Sequence, residues 1–359
     1  MKIVKIFDRV EPEQKSLDII LHENKFWNML RENKLSSCCK TLNIPIHETL
    51  EYLLKDEFIA KYKEISLIYL DNKINMIKDF IIQCGFNVVL NGDVIFPYNL
   101  SLYVPCKKFA IDFVPGIFNC ERLVSKDASQ WKQLRKTQAC DLLGIKLLHV
   151  FEDDYVKNEE TLLSSVTNNL GLNGKKIMAR KCQYSEQECP YFYKQNHIQG
   201  QGKETLKYFN LIYDNEIVMS MTAGGHHEIN NREQSSKPIV LTRFCSLKDC
   251  TVQGGASKLF SRFILWAREN GYDNIVSWSD NSYAHGGVYE TLGFKLEKES
   301  GPDFKWFDTK IMKIVTKQSR RHTVGAKKPS REYNRTQWYA EHGLYRLWDP
   351  GKKTWKYLL

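Results

Sequence analysis

Apolar residues recur at intervals near three and four through 16–62, most regularly at Leu50, Leu53, Leu54, Phe58 and Ile59, so this stretch is expected to be helical. Within it, "LSSCCKTLNIPIHETLEYLLKD" reads as a short helix, a break at Asn43-Ile44-Pro45 and a second helix. That is the punctuation of a helix-turn-helix, although any two short packed helices share it. A further helix face at Ile74, Ile77, Phe80 and Ile81 leads into three strand-like runs, "FNVVLN", "LSLYV" and "FAIDFV". A polar helix from Trp131 to Leu143, stopped at Gly144, precedes the apolar strand "IKLLHVFEDDY". Farther on, "NLIYDNEIVMSMTAG" alternates on both arms around Asp214-Asn215-Glu216, as a hairpin does. Then come a strand "IVLTRFCS", a glycine-rich turn "TVQGGASK", the amphipathic helix "KLFSRFILWAREN" and a strand "NIVSWSD", the order of a βαβ unit.

These patterns predict a multidomain α/β chain: a helical region with a possible helix-turn-helix over 1–68, an α/β core over 69–172, a second α/β domain over 173–316 and a basic tail over 317–359. At 359 residues the chain exceeds one ordinary core. No apolar run approaches the roughly 18 residues of a membrane span, and Met1-Lys2-Ile3-Val4-Lys5 lacks the apolar region of a secretory signal, so no membrane partner and a cytoplasmic location are expected. Ten cysteines without a repeated CxxC pair indicate reduced thiols rather than a zinc site or a disulfide framework.

Charge changes the picture at one end. The chain carries +10 overall, yet Lys305–Leu359 holds 14 Lys/Arg against 4 Asp/Glu, so the preceding residues are balanced. Aromatics interleave with that charge, a pairing that attracts phosphates and bases, and DNA is the expected partner. The residues expected to carry it are Arg320, Arg321, Lys327, Lys328, Arg331, Arg335, Trp338, Arg346, Lys352 and Lys353.

Two stretches could carry chemistry. A nuclease that converges carboxylates on Mg²⁺ needs acids on adjacent strands. Asp112 is one such acid, with Glu121 as a second metal ligand, Glu152 as an alternative acid and Lys136 to stabilise charge. In the second stretch, Gln253, Gly254, Gly255, Ala256, Ser257 and Lys258 open a helix whose N-H groups suit a pyrophosphate. His197, Asp280 and His285 are candidate proton acceptors and Tyr289 a candidate donor. His226, His227 and Glu228 lack a third ligand and read as a polar loop.

"FPYNLSLYVPCKKFAIDFVPGIFNCE", "WKQLRKTQACDLLGIKLLHVFEDDY", "KQNHIQGQG" and the terminal "GLYRLWDPGKKTWK" resemble the homing-endonuclease-like proteins of T-even-type phages, which have a very-short-patch-repair-like PD-(D/E)xK core. The resemblance covers about residues 70–359 and implies Mg²⁺-dependent DNA cleavage. It departs where that family carries first-strand acids, since Asn99 and Ser101 stand there. "VQGGASKLF" with "DNSYAHGGVYETLGF" resembles the GNAT acetyltransferases and is similar to Mom-type phage proteins that modify adenine, which implies an acyl-CoA or group-transfer role. The leading reading is therefore a phage or viral DNA-binding protein of that homing-endonuclease-like kind, with Mg²⁺-dependent cleavage as a possible activity; the alternatives are a transferase modifying DNA or a protein amine and a non-catalytic DNA-binding scaffold.

Overall fold

The computed structural model describes residues 17–157, 159–172, 174–202, 204–225, 237–315, 317 and 334–359. The described residues divide into a helical unit, 17–75 with 308–312, and a larger unit made of the others.

In the helical unit, α1 (Leu17–His22), α2 (Asn24–Glu32), α3 (Leu35–Leu42) and α4 (Ile46–Leu53) precede the long α5 (Asp56–Gln83). α5 runs through the boundary expected at residue 68 and into the larger unit. Phe26, Trp27, Leu30, Cys38, Leu50 and Leu53 are buried, and the Trp27 indole donates to the Leu21 carbonyl at 2.7 Å. Asn43 turns the chain between α3 and α4 in the left-handed region, at φ 53°. The charged residues of α4 are Glu48 and Glu51, both exposed, and it has no Lys or Arg. That face repels a phosphate backbone, so α4 lacks the charge expected of a groove-reading helix.

The larger unit contains two main sheets. β1 (Val89–Ile95), β2 (Tyr98–Val104) and β3 (Phe109–Val114) form an antiparallel meander, and β3 pairs in parallel with β4 (Lys146–Phe151). Between them lie the short α6 (Gly116–Asn119) and α7 (Lys126–Ser129), then the crossover helix α8 (Lys132–Leu142). β3 is buried along its whole length, as a strand covered on both faces must be. Next come α9 (Glu152–Lys157), α10 (Glu159–Leu170), β5 (Lys175–Met178), a 3-10 turn at Ala179–Lys181, β6 (Gln183–Ser185) and α11 (Pro190–Asn196).

The second sheet is built on the hairpin of β7 (Thr205–Tyr213) and β8 (Glu216–Gly224), whose turn residues Asp214 and Asn215 both have positive φ. β9 (Pro238–Ser246) follows, then β10 (Cys250–Gln253), which pairs in parallel with β5, the helix α12 (Gly255–Glu269) and β11 (Asn274–Asp280). The remaining elements are α13 (Gly287–Thr291), β12 (Lys295–Ser300), β13 (Phe304–Asp308), β14 (Lys313–Val315), α14 (Arg335–Glu341), β15 (Leu344–Trp348) and β16 (Lys352–Leu358). The strand order is β12-β16-β11-β9-β8-β7-β6. Residues Phe209, Met221, Leu241, Leu259, Phe263 and Trp355 form part of its buried core. A separate tail over 317–359 does not describe this arrangement, because β16 is an interior strand of the sheet. Among the described residues no helix is long and apolar enough to cross a membrane.

Candidate active site

β9 and β11 run parallel but pair only over Pro238–Val240 with Asn274–Val276. Against β8, Thr222 faces Arg243 and Ala223 faces Leu241, so Thr242 is an extra residue and the strand is bulged where the parallel pairing stops. Burial changes at the same point: Ile239–Leu241 are buried, while Thr242–Ser246 are half-exposed on both faces. Ser277 Oγ donates to the Leu241 carbonyl at 2.9 Å, one residue beyond the last pair. Open α/β sheets bind ligands outside the carboxyl ends of their strands. A cavity of about 250 Å³ lies at that end, walled by Cys245 and Ser246 of β9, Asn196 at the end of α11 and His197 after it, Ser164 of α10 and Tyr283.

The polar side chains around this end differ in what they can do. His197 accepts the Gln199 N-H on Nδ1 at 3.1 Å, so its proton sits on Nε2. Burial, with Arg243 adding to it, pushes its pKa down to about 3. It is thus a neutral donor rather than the proton acceptor expected from the sequence. Burial holds the Tyr289 phenol above its ordinary pKa, so it keeps its proton. Its oxygen lies 2.9 Å from Ser277 Oγ and donates to the Trp278 carbonyl at 3.3 Å, and its ring stacks on Trp355 at 5.7 Å. Asp280 accepts the Ser282 N-H at 3.0 Å and closes the turn after β11. His285 lies apart from these groups, 3.1 Å from Asp141 of α8 through Nδ1. The sequence patterns assign no role to Tyr283 or Arg243, although an arginine inside the apolar run "IVLTRFCS" is a signal in itself.

The expected cofactor turn sits at the same end of the sheet. A Cβ on Gly255 would meet Met219 Sδ at 2.6 Å, and Met219 is the register partner of Ser246, a cavity-wall residue. Gly255 is therefore needed for close packing of helix on strand. Gly254, at φ 75°, caps α12 without a side-chain acceptor, so the first-turn N-H groups of Gly255, Ala256 and Ser257 have no capping side chain. Ser257 is exposed. These features fit the phosphates of an acyl-CoA at the N-terminus of a 15-residue helix. Lys258 is otherwise committed, donating to the Ala179 and Cys182 carbonyls at 3.0 and 2.8 Å. Gln253 is a β10 residue paired with Met178.

The residues expected to hold Mg²⁺ are not brought together. Both Asp112 oxygens accept from Lys136 Nζ at 2.8 Å, and His149 Nδ1 is 3.7 Å from Oδ2. Burial alone would raise the Asp112 carboxyl, but His149 and the Lys136 charge outweigh it and hold the pKa below its ordinary value. Asp112 is thus a buried half of an ion pair, neither solvated nor open to a metal. Glu121 accepts from Arg346 Nε at 2.7 Å and from the Trp348 indole at 2.9 Å, and Glu152 accepts the Gly116 N-H at 3.0 Å. Among the described residues no three His, Cys, Asp or Glu side chains are grouped as a metal site. This donor set does not fit Mg²⁺.

The described part of the basic stretch is likewise structural. Trp355 is buried in the sheet core and its indole donates to Ser279 Oγ at 2.9 Å. Lys353 lies 3.7 Å from Glu299 and Lys356 lies 3.6 Å from Glu297, so β12 supplies acids opposite the lysines of β16. Lys352 faces Asp280 and Ser300 in register. Arg346 is paired with Glu121, and Trp338 packs against the cluster of Trp306 and Leu344. Arg335 opens α14 and is exposed. Arg320, Arg321, Lys327, Lys328 and Arg331, like His226, His227 and Glu228, lie outside the described residues.

No family model matches the chain, and no curated protein matches it. Among solved structures it is similar to a GNAT family acetyltransferase from Elizabethkingia anophelis with acetyl-CoA bound, at 13% identity and a TM-score of 0.29, over 50% of this chain and 99% of that one. A Bacillus subtilis acetyltransferase in complex with CoA gives 10%, 0.29, 50% and 99%. The ribosomal-protein-S18-alanine N-acetyltransferase from Escherichia coli gives 12%, 0.28, 49% and 93%. Scores this low leave the functional reading to this chain's own geometry. The endonuclease reading draws no support from these likenesses.

Proposed function

We propose that the chain is a GNAT-like group transferase that uses an acyl-CoA and works in the cleft between β9 and β11. The observation that carries the reading is the parting of these parallel strands after three residue pairs, at a bulge, with a cavity at the carboxyl end of β9 that Tyr283, from the turn after β11, also lines. The uncapped first turn of α12, held at the same level by the Gly255 and Met219 contact, supports it.

An acyl-CoA would supply an acyl group already activated as a thioester. Gly255, Ala256 and Ser257 would bind its phosphates through backbone N-H groups, at the positive end of the α12 dipole. Tyr289, protonated and fixed by Ser277 and the Trp278 carbonyl, holds a proton at Oη beside β11. His197 presents Nε2-H, which orients an oxygen rather than removing a proton. α10 contributes to the wall through Ser164, whose Oγ accepts the Asp249 N-H at 3.2 Å, so a helix following the four-stranded sheet shapes the acceptor side.

The test is thermal unfolding of the full chain with acetyl-CoA. Saturable stabilisation is expected, reduced at least tenfold in apparent affinity by Ser257→Glu. An acid in a first helical turn favours folding, so this variant removes phosphate binding without loosening α12. No stabilisation in the wild-type chain, or an unchanged affinity in the variant, would sink the reading.

A further inference from the structure

Among the described residues, Arg243 is a cation without a counter-ion. Its Nε donates to the Gly200 carbonyl at 2.9 Å and its Nη1 to the Thr242 carbonyl at 2.7 Å. These two bonds fix the guanidinium plane and use two of its five N-H donors. Among the described residues no carboxylate lies within ion-pair distance of it. The groups acting on it electrostatically are the Tyr193 and Tyr289 phenols and the Cys245 thiol. Burial pushes all three above their ordinary pKa values, so none is charged near neutral pH. A largely desolvated cation left in this state is costly, and the usual compensation is an anion. The residue stands one position past the β9 bulge, and its charge helps to keep His197 neutral. His197, with Nε2-H, and the phenol of Tyr289 make the surroundings rich in donors, and among the described residues no carboxylate pairs with Arg243.

We propose that Arg243 anchors an oxyanion, a carboxylate or a phosphate, carried by the molecule that enters the cleft between β9 and β11. Calling that molecule the acceptor rests on the group-transferase reading; the anion site itself does not. Selection against a neutral analogue follows, because only an oxyanion engages the free edge of the guanidinium fork and cancels its charge.

The experiment titrates the full chain separately with sodium phosphate and sodium acetate, at constant ionic strength set with chloride, following the unfolding temperature and binding heat. Saturable binding of at least one anion is expected, weakened at least tenfold in Arg243→Gln. Binding of acetate points to a carboxylate ligand, and binding of phosphate alone to a phosphorylated one. If Arg243→Gln does not fold, Arg243→Lys keeps the charge but loses the fork, and several-fold weaker binding is expected. Absence of saturable binding by either anion, or equal affinity in the Arg243 variant that folds, overturns the proposal. So does phosphate binding lost in Ser257→Glu and retained in Arg243→Gln, which would place the ion at α12. Anion binding that depends on Arg243 in a chain that acetyl-CoA does not stabilise would remove the transferase reading and leave this site standing.

Discussion

Tyr283 places its phenol oxygen 2.8 Å from both carboxylate oxygens of Asp154, joining the turn after β11 to the helix that follows β4. The Phe151 N-H also donates to Asp154, at 3.0 Å. Burial of Asp154 raises its pKa to about 6, with Lys305 opposing and Asp153 adding to the rise.

The folded chain therefore holds a proton on Asp154 between about pH 4 and 6 that the unfolded chain releases. Its contribution is fully present below the unfolded pKa and is lost as pH rises through 6. One pKa unit corresponds to about 1.4 kcal/mol, so the full effect is on the order of 2–3 kcal/mol. Urea unfolding midpoints that fall from pH 4 to 6.5 in the wild-type chain should fall less in Asp154→Asn. Parallel profiles for the two proteins would remove Asp154 from the account.

Trp355 gives the second prediction. A Cβ on Gly286, which has φ 90°, would come within 2.2 Å of the Trp355 ring, so the turn before α13 is moulded on this side chain. Trp355→Ala should cost about 3–5 kcal/mol in urea unfolding, as for other buried aromatics. Lys353→Ala, which removes only a partly exposed ion pair, should cost less than about 1 kcal/mol. Comparable losses would mean that β16 is not part of the core.

The ion pair of Asp112 and Lys136 gives the third. Lys136→Met leaves a buried carboxylate uncompensated and should destabilise by about 3–5 kcal/mol, whereas Asp112→Leu with Lys136→Met should recover most of that loss. Mg²⁺ should leave the unfolding temperature of the wild-type chain unchanged. Saturable stabilisation by Mg²⁺, lost in Asp112→Leu with Lys136→Met, would restore the nuclease reading.

Local periodicity carried the elements well where one physical cause dominated. The hairpin of β7 and β8 follows from alternation around Asp214-Asn215, and α12 follows from glycines ahead of an amphipathic run. Within the basic tail expected over 317–359, charge and strand pattern point different ways. "KKTWKYL" alternates as a strand should, with Trp355 inward, while its lysines read by themselves as a phosphate-binding surface. Their partners Glu297 and Glu299 lie over fifty residues away in β12, a relation that neither charge counts nor spacing reveal. Asp112 is a similar case: its position on a strand is legible, but Lys136 of α8, expected to stabilise charge in the reaction, instead claims both its oxygens. Arg243 shows the converse, since the absence of a counter-ion among the described residues is a property of the folded surroundings and not of the local sequence.

Tyr289 separates chemistry from folding. In Tyr289→Phe, Ser277 Oγ still has the Leu241 carbonyl as acceptor, so no donor is stranded, and the ring keeps its stacking on Trp355. The Trp278 carbonyl loses a 3.3 Å contact, a long one, which sets the stability cost at about 1 kcal/mol or less. If the phenol is the proton donor of the transferase reading, release of the CoA thiol should fall by about 10²-fold, the scale of a positioned acid. Affinity for acetyl-CoA should stay within about twofold, because the phosphates are held at α12. A variant that releases the thiol at the wild-type rate would leave Tyr289 as a packing residue of the sheet core. Equal loss of rate and of acetyl-CoA affinity would instead place its role in binding.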